Sequence, residues 1–92
     1  MITFEVVRTG LEYVEVSWNV RLGQLTEPVY YLLAQTLNVL APVESVEVLK
    51  FSAHLRVPTP TEEVLETIRQ ALLENDELQQ VLDAEYEVLI LQ

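Results

Sequence analysis

Between residues 2 and 8 apolar and polar positions alternate: Ile2, Phe4 and Val6 point one way, Thr3 and Glu5 the other. A period of two is the spacing of a strand with one buried face. Thr9-Gly10-Leu11-Glu12 follows as a turn, with Gly10 free to take a positive φ. Alternation resumes over residues 12–21, with Val14, Val16, Trp18 and Val20 inward and Tyr13, Glu15, Ser17 and Asn19 outward. The two runs should pair as an antiparallel hairpin.

Gly23 breaks that pattern, and Thr26 then offers an N-cap with Glu27 and Pro28 in the first turn. Val29, Leu32, Leu33, Leu37 and Leu40 form a helical stripe, with Gln35 and Asn38 on the other side and Tyr31 nearby. Ala41-Pro42 ends the helix, because a residue before proline is pushed out of the α region. Residues 45–57 read as one long third strand closed by Pro58. Glu47, Leu49, Phe51, Ala53, Leu55 and Val57 share its first face; Lys50, Ser52, His54 and Arg56 share the second.

Thr59-Pro60-Thr61-Glu62 has the form of a capping box with proline at N1, and Val64, Leu65, Ile68, Ala71 and Leu72 form the stripe of a second helix. Continued, that helix would turn Asn75, Asp76 and Gln79 inward, whereas the apolar phase restarts at Leu78, Val81 and Leu82. A break is therefore expected, with Asn75 as a C-terminal left-handed residue and Asp76 capping a short extension. Glu85 to Leu91 alternates acidic and apolar before becoming wholly apolar, and predicts a last strand.

The resulting order is β-β-α-β-α-β, with a short helix before the last strand. It predicts one α+β domain over residues 1–92, a two-layer sandwich with a mostly antiparallel four-stranded sheet and two main helices on one face. The opening hairpin and helix also permit a β-grasp-like arrangement. The chain ends Ile90-Leu91-Gln92 without a Gly-Gly pair, so a ubiquitin-like carrier role has no support.

Half of the 92 residues are hydrophobic, which separates this chain from a disordered acidic tail. Cysteine is absent, so disulfides, thiolate nucleophiles and sulfur-ligated metals are excluded, and the composition suits the cytoplasm. The opening Met1-Ile2-Thr3-Phe4-Glu5 lacks the basic start of a leader peptide, and no apolar run approaches the ~20 residues of a membrane span. Fifteen acids against five bases give a net charge of −10, which disfavours direct contact with nucleic acid or anionic lipid. Cations and basic proteins are the partners that such a charge attracts.

No constellation for catalysis, cofactor or metal emerges, and the expectation is a non-enzymatic chain. His54 is the sole histidine, and none of Ser17, Ser45 and Ser52 stands in a G-x-S-x-G setting. Gly10 and Gly23 form no phosphate-binding loop, and the acids lack EF-hand spacing.

Two features point outward. If Tyr86, Val88 and Ile90 face the core, Leu89 and Leu91 face away from it, and helices sufficient for one face leave them for a protein partner or a second copy. The mixed charges of Arg8, Glu15, Lys50, Arg56, Glu85 and Glu87 could instead pair across that face. Residues 59–92 also hold nine acids and one base, Arg69, against six acids and four bases in residues 1–58. Glu63, Glu66, Glu74 and Glu77 would then contact a basic protein, as a nucleic-acid-mimicking inhibitor of anti-restriction or anti-CRISPR type does. Tyr31, beside Tyr30 on the first helix, is a further candidate contact anchor.

Overall fold

Alternation at the N-terminus produces the expected hairpin. In the computed structural model, which describes residues 1–19 and 25–91, β1 (Ile2–Gly10) pairs antiparallel with β2 (Tyr13–Trp18). Phe4 lies opposite Trp18 and Val6 opposite Val16, so the apolar phases of both strands meet on one face. The expected continuation of β2 to residue 21, with Val20 inward, and the break at Gly23 lie outside the described residues.

The long third strand is instead a second hairpin, β3 (Ser45–Val48) and β4 (Ser52–Arg56). Its physical cause is a change of phase. The half-buried residues of β3 are Val46 and Val48, at even positions, whereas β4 buries Ala53 and Leu55, at odd ones. A single straight strand cannot switch faces in this way. Glu47, Leu49 and Phe51, expected inward, are consequently exposed. The turn is anchored from outside: the carbonyl of Lys50 accepts from Trp18 Nε1 at 3.2 Å and from the Tyr30 hydroxyl at 2.9 Å.

The sheet has five strands in the order β3-β4-β2-β1-β5, where β5 spans Tyr86–Leu91. It is mixed, because β5 runs parallel to β1 while the other pairs are antiparallel. The expected four-stranded sheet is corrected to five strands; three of its four pairs are antiparallel, as expected, and the β1–β5 pair is parallel. A grasp-like sheet would hold its last strand in the interior; here β5 forms an edge, and β3–β4 attach through β2.

Among the described residues three helices lie on one face of the sheet. Helix α1 (Glu27–Asn38) starts at the expected Thr26, whose carbonyl accepts from Val29 and Tyr30. Helix α2 (Glu62–Leu73) is capped by the Thr61 hydroxyl, which accepts from the Val64 amide at 3.3 Å. The expected box on Thr59 is not used, because Pro60 is buried ahead of the helix and its carbonyl accepts from Arg8. The break before α3 (Asp76–Leu82) is present, but Asn75 plays the opposite role to that expected. It is an extended N-cap accepting from the Leu78 amide at 2.9 Å, so Asp76 is not the cap; the left-handed residue is Asp83, at the end of α3. Phe4, Val6, Val16, Leu33, Ile68 and Leu72 are among the core side chains with no exposed surface. Fully burying such a side chain contributes ~1.5–3 kcal/mol.

Candidate interaction surface

The helix-free face of the sheet is assembled in rows by strand register. One row runs Glu47, His54, Glu15, Val7, Leu91, and the next runs Ser52, Ser17, Glu5, Leu89. Its two ends differ chemically. Around β2 and β4, Arg56 lies 3.7 Å from Glu12 and 3.6 Å from Glu44, while His54 Nε2 approaches Glu15 at 4.0 Å. The two Arg56 pairs stand in water and contribute little individually. Arg8, expected to join them, donates to the Pro60 carbonyl at 3.3 Å instead.

On β1 and β5 the same face runs from polar, where Thr3 lies beside Glu87 and Glu5 beside Leu89, to apolar, where Val7 lies beside Leu91. Leu89 is 42 % exposed and Leu91 40 %, and half-buried Val7 lies opposite Leu91. Val88 on the other side of β5 is buried, which is why its neighbours must point outward. The sequence signal for the two leucines was this alternation, which also turns Val7 outward; that Val7 lies beside Leu91 depends on the β1–β5 register and carried no local signal.

The β5 edge is also open along its backbone. Ile2 N donates to Glu85 O at 3.3 Å, and the parallel register places Phe4 beside Val88 and Val6 beside Ile90. In such a ladder the N–H and C=O groups of Glu87, Leu89 and Leu91 bond to β1, while those of Tyr86, Val88 and Ile90 point away from it. Arg69 on α2 meets one of these: its Nε donates to the Val88 carbonyl at 3.0 Å. The Arg69 guanidinium also bonds Glu66 Oε1 at 2.8 Å, to which Gln70 Nε2 donates at 3.0 Å. The Gln70 bond, then the bond and charge of Arg69, hold the Glu66 carboxyl below its ordinary value against a desolvation penalty.

Two clefts flank β5. One, of about 430 Å³, is lined by Leu73, Gln79 and Tyr86 among others; the second, about 210 Å³, by Arg8, Pro60, Glu62, Leu65 and Leu91. The Tyr86 hydroxyl donates to Leu72 O at 2.6 Å, and burial pushes its phenol above the ordinary value.

The remaining candidates are dispersed. Glu63, Glu66 and Glu74 are exposed on and just after α2, and Glu77 is exposed on α3. They lie on the helical side of the sheet, away from the face that carries Leu89 and Leu91. Tyr31 is 68 % exposed on α1, whereas Tyr30 is held over the Lys50 turn.

Ser52, His54 and Glu15 do come together, an arrangement the sequence did not suggest. Ser52 Oγ lies 3.4 Å and Glu15 Oε2 4.0 Å from the same His54 nitrogen, Nε2. A base that activates a nucleophile needs its second nitrogen held by an orienting group, so this trio lacks the required geometry. Among the described residues no three His, Asp or Glu side chains converge as metal ligands would, and no helix is long and apolar enough to cross a membrane. No protein-family model matches the chain, and no curated protein shows significant similarity to it.

Proposed function

We propose that this chain is a non-enzymatic protein-interaction module that docks through β5 and the adjoining helix-free face. The observation that carries this reading is the coincidence, on one strand, of exposed Leu89 and Leu91 with backbone groups that point away from the sheet. A long apolar edge of this kind is normally blunted or covered. The decisive comparison is between the natural chain and Leu89→Glu/Leu91→Lys. Light-scattering mass and capture from a host lysate are measured for both, at ~0.05 M and ~0.5 M salt, which span weak to strong charge screening. The double variant should stay folded and lose the captured partner or the higher mass. If neither changes, the reading fails.

A second reading rests on a different observation: all nine acids of residues 59–92 are exposed. They supply the anionic surface by which a nucleic-acid mimic would block a basic groove. Charge reversal at Glu63, Glu66, Glu74 and Glu77 should then abolish binding with the fold intact. Binding indifferent to salt would contradict it.

A further inference from the structure

We infer that the occupant of the β5 edge is an extended, basic segment of a partner protein, added as a sixth strand along the outer edge of β5, beside α2. The inference rests on the reading of β5 as the docking strand and names what that strand recognises.

Three observations converge on this occupant. The outward N–H groups of Val88 and Ile90 and the carbonyl of Ile90 are main-chain partners for an incoming strand, and strand addition uses such groups for affinity. The clefts at the two ends of β5, floored by Leu73 and Tyr86 at one end and by Leu65 and Leu91 at the other, receive alternate apolar side chains. The surroundings are acidic, with Glu85 and Glu87 on or beside β5 and Glu66 and Glu74 on or beside α2. Charge therefore selects a lysine- or arginine-bearing segment. Two copies of a chain with a net charge of −10 repel one another, which disfavours a second copy as the occupant.

Arg69 gives the edge a native guard. Its Nε occupies the Val88 carbonyl, and its positive charge is what a basic segment must displace. Glu66, already bonded to the same guanidinium, can retain Arg69 when it leaves Val88.

The test uses the full chain and an acetylated ten-residue peptide of alternating lysine and valine. Amide hydrogen exchange is followed residue by residue with and without the peptide. Saturating peptide should slow exchange at Val88 and Ile90 at least tenfold and leave β3 unchanged, and Arg69→Ala should bind the peptide several-fold more tightly. A peptide with glutamate in place of lysine, or with alternate amides N-methylated, should bind at least tenfold more weakly. Peptide binding that leaves Val88 and Ile90 unprotected overturns the sixth strand, as does failure of the lysine–valine peptide to bind. Protection already present in the free protein and lost on dilution assigns the edge to a second copy, and overturns the basic segment. Should Leu89→Glu/Leu91→Lys lose a partner while the peptide protects nothing, the docking role of β5 stands and this inference falls.

Discussion

The two edges of the sheet handle the same hazard in different ways. β3 spans four residues, Ser45–Val48, is bracketed by Glu44 and carries Glu47, and its turn is fastened by two donors from β2 and α1 onto the Lys50 carbonyl. β5 spans six residues; Glu85 precedes it and Glu87 lies on it, as with β3, but Val88 to Leu91 is uncharged throughout. Among the described residues its edge backbone is met by one side chain, Arg69. Short, charged edges resist pairing with other chains, and long apolar ones invite it. The contrast is why the interaction is assigned to β5: the same molecule keeps one edge short with a fastened turn and ends the other in an uncharged run.

Breaking both edges at once should have the largest effect. Phe4 has no exposed surface, lies between β2 and β5, and meets the rings of Trp18 and Tyr86 at centroid distances of 6.0 and 5.5 Å. Phe4→Ala should cost ~3–5 kcal/mol in equilibrium denaturation. A smaller loss is expected from Asn75→Ala, which removes the α3 cap ahead of β5 and should cost ~1 kcal/mol by the same assay.

Tyr30→Phe acts on the β3 edge alone. It removes one of the two donors to Lys50, should cost ~0.5–1.5 kcal/mol, and should speed amide exchange in β3 while leaving β5 unchanged. If β5 responds equally, the two edges are not independent.

The smallest effect is a pH dependence at the β5 edge. The Tyr86 phenol is raised by burial, so the neutral form is favoured in the folded chain. Its contribution is fully present below the unfolded value of ~10 and is lost as pH rises through the folded one. Thermal midpoints should therefore fall above about pH 10, and Tyr86→Phe should remove that part of the decline.

Much of this contrast was legible in the chain. The first hairpin, the two main helices, the restart of apolar phase after Asn75 and the outward aim of Leu89 and Leu91 all follow from local periodicity. The β3–β4 turn was not, because residues 49–51 contain no Gly, Pro or Asn; the fold is made there by Trp18 and Tyr30, which are distant in sequence. Glu47 on an otherwise apolar face was the available warning. The parallel pairing of β5 with β1 had no local signal, since both strands look the same whichever neighbour they take. Arg69 could be read only as a lone base among acids; that it reaches Val88 is a tertiary fact.

The most direct measurement is an amide chemical-shift map of the natural chain titrated with the lysine–valine peptide. The account predicts that the largest changes fall on β5 and the facing side of α2, centred on Val88, Ile90 and Arg69, with β3 and β4 silent. Changes centred on β3, or spread over the exposed acids without touching β5, would contradict it.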